Sequence, residues 1–296
     1  MSPPAITAAA ISAIAAACSP ASSTPGRRGM DLCETAPAAQ PDAAPHMPVQ
    51  DLGDLLIART GDRYAAFCRG SHLTVVPEDC ESLPLVELTE PATLDRLLDR
   101  FASPLPAGTD RRAIASLWSL YYASSLMIGA SLAFLELRRI LPLSLGEASL
   151  LMDRQSGGPR GFLLPHLGHV DETADVFAGL APAIRDNLDP LFAAIARHTG
   201  LGRKTLWNNA SAYLSWAAYE AGRHAGETLA AEGRLLTESP TWPDGWKNPL
   251  ARLIRVELDE TGAYAGHRRI CCLRYAIPTI GGCGAICPVK EGRCGL

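Results

Sequence analysis

Five of the nine cysteines fall within the last 26 residues. Cys271 and Cys272 are adjacent, Cys283 follows after ten intervening residues, Cys287 after three more, and Cys294 lies near the end. Converging thiolates repel one another unless a cation neutralises them, so a cluster this dense points to a soft metal, an iron–sulfur cluster or thiol redox chemistry.

Spacing separates these three chemistries. A structural zinc site usually uses two C-x-x-C knuckles, each wrapping a turn of backbone around one edge of the tetrahedron. Here one pair is adjacent and the other is C-x3-C. Neighbouring residues of an extended strand point to opposite faces, so two adjacent ligands need a kinked backbone, which is unusual for zinc. A 2Fe–2S cluster needs four thiolates and tolerates variable spacing. Gly281, Gly282 and Gly284 around Cys283 would let backbone amides approach the sulfurs, and Pro288 favours an extended conformation at Cys287. A vicinal disulfide between Cys271 and Cys272 would leave Cys283 and Cys287 unexplained. The cluster fits the spacing best, with zinc and thiol chemistry as the alternatives.

Composition bounds the setting. The chain has 296 residues and a net charge of −4, which argues against broad nucleic-acid binding. An odd number of unevenly placed cysteines is a poor disulfide framework and favours a reducing compartment.

Residues 1–47 read as a disordered Ala/Pro-rich tail carrying Cys18 and Cys33. Within it, Ile6–Cys18 has some signal-peptide character but lacks a basic leader, so Met30 or Met47 is the alternative start. Residues 48–104 hold Cys68 and Cys80 and short apolar pieces between turn signals, read as a small α+β segment. Its end, Thr93–Phe101, has helical spacing. Residues 105–250 read as a helical domain. Thr109 or Asp110 caps a long helix whose Ala113–Leu135 stretch is 23 residues without a charge. That length can span a bilayer, but serines, tyrosines and alanines dilute it, and a buried helix is the preferred reading. Further helices are predicted over Pro182–Thr199, ended by Gly200, and over Lys204–Gly222. Residues 251–296 form a cysteine module, with a strand at Leu253–Leu258, a turn at Thr261-Gly262 and an extended piece at Arg269–Tyr275.

Several residues invite overinterpretation. His166 and His169 read as a loop pair rather than a metal site, and His267 is dispensable as a ligand when four cysteines are at hand. Trp207, Tyr213, Trp216, Trp242 and Trp246 sit at spacings typical of core, with the lining of a ligand pocket as the lesser reading. Arg268, Arg269, Arg274, Lys290 and Arg293 make the cysteine neighbourhood basic, suited to docking an acidic electron donor, to holding the negative charge of a cluster, or to an ordinary solvated face.

The motif C-C-x10-C near the C-terminus, with an Arg pair before it, Leu273, Tyr275 and Pro278 after it, and Cys287-Pro288 beyond, resembles the ferric-siderophore reductases typified by FhuF. Leu206-Trp207-Asn208 and Asn248-Pro249-Leu250 are weaker points of likeness. One departure stands out: the last interval is three residues where the family has two, which leaves Cys294 as a rival to Cys287 for fourth ligand. The resemblance implies a predominantly α-helical α+β protein with a small C-terminal 2Fe–2S-binding module. It implies Cys271, Cys272, Cys283 and Cys287 as cluster ligands, with no catalytic residue beyond the cluster. The implied activity is one-electron reduction of siderophore-bound Fe(III) in the cytoplasm, releasing iron. Its implied partners are a ferric siderophore and an electron donor such as ferredoxin or a flavin reductase, with peripheral membrane association as a variant. The alternative is a non-enzymatic siderophore- or metal-binding protein with a structural four-cysteine zinc site.

Overall fold

A computed structural model describes residues 51–258, 264–277, 279 and 286–288. The tail over 1–47 with Cys18, Cys33, Met30 and Met47 lies outside the described residues. So do the Thr261-Gly262 turn, Pro278, Gly281, Gly282, Cys283, Gly284, Lys290, Arg293 and Cys294.

Helix α4 (Arg111–Leu137) is the axis of the molecule. Asp110 caps it by accepting from the Arg112 amide, as the sequence predicts, and Arg138 ends it in the left-handed region. It is apolar around most of its circumference, and most of its side chains are buried. It is long and apolar enough to cross a membrane, yet 72% of its most apolar stretch is buried inside the protein.

Around it stand α1 (Leu52–Thr60), α2 (Ala65–Cys68), α3 (Pro91–Ala102), α5 (Val176–Ala183), α6 (Asp189–Thr199), α7 (Arg203–Ala225) and α8 (Glu227–Glu238). The closest partner of α4 is α7, whose own hairpin with α8 is tight because Gly222 lies against Ala230 and Gly233 against Ala218. A four-stranded sheet runs β1–β5–β4–β2, from β1 (His72–Leu73), β2 (Cys80–Pro84), β4 (Ser149–Asp153) and β5 (Pro159–Leu163). This sheet takes strands from both sides of residue 104. The pair β3 (Arg139–Ile140) and β6 (His169–Val170), and the hairpin β7 (Ile254–Leu258) and β8 (Tyr264–Arg268), complete the strands among the described residues. The architecture is the predominantly helical α+β class read from the sequence.

Two elements begin elsewhere than predicted. The helix expected from Pro182 starts at Val176, where the Asp175 side chain accepts from the Ala178 amide, and Pro182 sits inside it. Proline cannot donate in the helix interior, and a π-turn over Ile184–Leu188 follows before α6 resumes and ends at Gly200 with φ 73°. The second strand of the C-terminal hairpin is Tyr264–Arg268, so the extended piece predicted at Arg269–Tyr275 lies beyond it as an irregular turn.

His72, fully buried on β1, is an unusual core residue. Its ring fills the space above Gly129 of α4, where any Cβ would collide with it. The Ser71 hydroxyl donates to the Cys68 carbonyl at 2.8 Å and lies 2.9 Å from His72 Nδ1. With its one proton committed there, Ser71 accepts from Nδ1–H, which assigns the tautomer and leaves Nε2 without a proton or a partner among the described residues. Burial lowers the imidazole to about 3.

The sign of the pH dependence follows. The unfolded chain takes up this proton near pH 6.5 and the folded chain only near 3, so stability falls as the pH drops through that window. The loss is about 1.4 kcal/mol per pH unit. Urea unfolding of the native chain and of His72→Asn should show their free-energy difference narrowing at that rate below pH 6.5. A difference that stays constant from pH 7 to 5 would contradict a neutral, unprotonated His72.

Candidate metal centre

Strand β8 packs on α7, and its ladder with β7 pairs Ile254 with Arg268. One step beyond, the Arg269 amide donates to the Leu253 carbonyl at 3.0 Å. The Ile254–Arg268 pair is thereby the non-hydrogen-bonded kind, and the Arg268 amide points away from β7. It donates to the carbonyl of Ile286 at 2.9 Å. That bond brings Cys287 back to the end of the strand from which Cys271 and Cys272 leave.

The double cysteine sits in a kink, as two adjacent ligands would require. Leu273 has φ 60°, and a short 3-10 turn over Arg274–Ala276 follows. The Leu273 amide donates to Cys271 Sγ at 3.4 Å, the type of N–H···S bond that stabilises a thiolate. Cys271 and Cys287 are partly buried and Cys272 is buried. Ile277 anchors the far side of the kink against Ala113 and Leu117 in the first turns of α4.

Buried polar groups on α4 and α7 hold the kink in place. Ser116 Oγ donates to the Cys272 carbonyl at 2.7 Å, and Asn208 Nδ2 donates to the Ile270 carbonyl at 3.2 Å. Asn209 Nδ2 donates to the Ser116 carbonyl at 3.2 Å and so ties the two helices together behind the cysteines. Sequence reasoning missed Ser116 and Asn209. Their signal was present, because each is a small polar residue inside an apolar helix face and needs a partner there.

Electrostatics sharpen the picture. Tyr264, Gly266 and Arg268 alternate along the buried face of β8, and Arg268 is only 4% exposed. The expectation of a solvated basic face does not hold for Arg268. Its Nε and Nη2 groups have no hydrogen-bond partner among the described residues, nor has Arg274 Nε. Among the described residues no carboxylate pairs with Arg268, Arg269 or Arg274. Tyr213 of α7 lies close enough to interact with both Arg268 and Cys272, and burial pushes its phenol up to about 12, so it stays protonated. An unneutralised guanidinium in a protein interior is costly unless negative charge is placed beside it.

A four-thiolate centre is negatively charged, so a buried guanidinium with no carboxylate partner among the described residues, a kink that allows adjacent thiols and an amide aimed at Cys271 all fit it. Among the described residues no three Cys, His, Asp or Glu side chains gather closely enough to hold a metal by themselves. Cys283, which would complete the set, lies outside them.

Other sequence candidates fall elsewhere. His166 accepts from the Gly168 amide at 3.1 Å and shapes a turn. His267 faces the opposite side of β8 from Arg268. Trp207, Tyr213, Trp216 and Trp242 are buried, whereas Trp246 is partly exposed. Cys68 is a core residue whose thiol burial pushes up to about 12, far from a thiolate at neutral pH.

Fold and centre together define an α+β protein whose C-terminal hairpin carries thiols against a helix pair. Residues 116–262 match the family described as FhuF, ferric iron reductase FhuF-like transporter. The match stops before Cys271, so it and the cysteine motif are separate parts of the chain pointing to one family. The FhuF-like resemblance is thereby borne out, and with it ferric iron reductase as the type of function the family supports. No curated protein matches the chain.

Proposed function

We propose that the protein reduces siderophore-bound Fe(III) to Fe(II) through a 2Fe–2S centre held by Cys271, Cys272, Cys283 and Cys287. The observation that carries this reading is the buried Arg268 beside returning Cys287, a positive charge with no negative partner among the described residues.

A 2Fe–2S centre, when bound, supplies one electron at a time. The chain's own residues have three tasks around it. Ser116, Asn208 and Asn209 fix the backbone of Ile270–Cys272 so that both adjacent thiols are available from one kink. Burial of Cys272 and Ile277 limits water at that side. Arg268 and the Leu273 amide oppose accumulating negative charge, which eases reduction.

Iron itself is the substrate. Hard oxygen donors hold Fe(III) far more tightly than Fe(II), so one electron loosens iron that no competing ligand could extract. No proton transfer is needed, and no general acid or base is assigned. The dense thiols suit a reducing cytoplasm. A ferredoxin or a flavin reductase, approaching near exposed Arg269, is the electron donor in this reading.

Mixing chemically reduced protein with a ferric siderophore in the presence of an Fe(II)-trapping chromophore tests the proposal. Trapped Fe(II) should match the electrons stored per chain. Fully reduced protein that leaves every class of ferric chelate untouched would refute it.

A further inference from the structure

We propose that the exposed cations around the cleft between the start of α7 and the Trp246–Leu253 segment, continued by Arg269, form the docking face for an acidic protein that delivers one electron at a time. This rests on the reductase reading above and names the face its electron donor uses.

The cleft has a volume of about 550 Å³, and Asp189 is the one carboxylate in its lining. Arg203 pairs with Asp189. Lys204 and Lys247 also line the cleft, and exposed Arg252 lies between the lining residues Ala251 and Leu253. Lys204, Lys247, Arg252 and Arg269 have no ion pair among the described residues. The chain as a whole carries −4, so this face reverses the net sign locally. An acidic partner is disfavoured by the net charge and steered to the face that opposes it.

Strand register carries the positive charge to the cysteines. One step beyond the Ile254–Arg268 pair, the Arg269 amide donates to the Leu253 carbonyl, so Leu253 and Arg269 lie opposite each other. Cross-strand partners share one side of the ladder. Arg268 is turned inward, whereas its neighbour Arg269 is exposed on the other side, the side of Leu253. Leu253 lines the cleft, so the cations run from Lys204 and Lys247 to Arg269, two residues before Cys271.

The aromatic residues decide between a small ligand and a protein. Trp207 is only 3% exposed and wedged edge-on against Phe192, so it is core and gives a small ligand little to stack on. The four unpaired cations are all exposed and stand on different segments, without converging on one enclosed point. Trp246 is partly exposed and held rigid, edge-on to Trp242 at 5.1 Å and beneath the Arg185 guanidinium at 5.0 Å. A fixed, half-exposed indole among exposed charges has the anatomy of a protein contact, an aromatic anchor with a polar rim. A partner seated here abuts the backbone that enters Cys271, because Asn208 of α7 donates to the Ile270 carbonyl. One electron leaves the donor and ends on chelated Fe(III), and no proton or group moves with it.

Stopped-flow mixing of the oxidised protein with a reduced, strongly acidic 2Fe–2S ferredoxin, and separately with a reduced acidic flavodoxin, tests the face. Transfer from at least one of them should be fast at low salt and slow steeply as salt rises. The double variant Lys204→Glu, Lys247→Glu and the single variant Arg269→Glu should each slow it about tenfold or more, and Trp246→Leu should weaken the complex. Arg59→Glu, an exposed site on α1, should change the rate little. Protein reduced beforehand with dithionite should release Fe(II) from a ferric chelate equally well in all of these variants. Failure of both donors, or rates indifferent to the cleft substitutions while pre-reduced protein still releases Fe(II), would overturn the docking face and leave the reductase reading standing. Fe(II) release lost from the pre-reduced variants with donor transfer intact would give the cleft to the chelate instead. Charge-dependent transfer from the donor with no Fe(II) released from any chelate would support the face and sink the reductase reading.

Discussion

Cys272→Ser abolishes ferric-chelate reduction and the visible absorption of the protein, whereas Cys294→Ser leaves both near native levels. Cys272 is the most buried thiol of the motif among the described residues, and its carbonyl is pinned by Ser116 on α4. A serine at that position keeps the shape and the backbone bond but supplies a hard, protonated oxygen where a soft thiolate is wanted. Losses of about 10–100-fold follow from removing residues that merely orient ligands, so removal of a ligand should exceed that range. Iron per chain, visible absorbance and Fe(II) release measured on the same preparation check the prediction. Chromophore lost in Cys294→Ser but kept in Cys287→Ser would reassign the fourth ligand to Cys294. Chromophore kept in Cys272→Ser would remove the double cysteine from the centre.

Arg268→Gln lowers the reduction potential of the centre by on the order of 100 mV, and Arg268→Lys restores most of it. A unit charge near the reduced centre, in an effective dielectric of about 20, is worth a few kcal/mol, which sets that scale for one electron. The buried position keeps solvent from screening it. A redox titration followed by EPR reads the shift directly. Stability supplies a second sign test. In protein stripped of metal, Arg268→Met should be neutral or stabilising, because it removes an interior charge that has no carboxylate partner among the described residues, while in loaded protein it should destabilise. A potential unchanged in Arg268→Gln would make Arg268 a packing residue only.

The sequence was readable where local chemistry decides the structure. Asp110 marked the start of α4 and Gly200 the end of α6 because caps are set by one side chain or one φ value. It misled where tertiary contacts decide. Arg269–Tyr275 follows directly on a strand and carries Ile270 and Tyr275, which favour one, yet bonds from Ser116 and Asn208 and the left-handed Leu273 turn it into a kink. Pro182 looked like a helix start and lies inside one. Helix α8 went unread because, of its buried positions, only Leu236 is large, while Ala230 and Gly233 are too small to print an apolar stripe. Strands β4 and β5 went unread as well, since their residues are largely buried on both faces and do not alternate.

The candidate site divides the same way. The thiols and their kink followed from adjacency in sequence. The inward turn of Arg268 did not, although Tyr264, Gly266 and Arg268 share one face of a strand that packs on α7. Charge at that position resembles solvated surface until the strand's register is known.

The most direct test of the central claim is the UV–visible and EPR spectrum of anaerobically purified protein before and after dithionite, with iron and zinc quantified. Two irons per chain, a red-brown colour that bleaches on reduction, and an EPR signal from the one-electron-reduced state are the expected result. A colourless protein holding one zinc per chain, unchanged after anaerobic reconstitution with iron and sulfide, would contradict it and make the cysteines a structural zinc site.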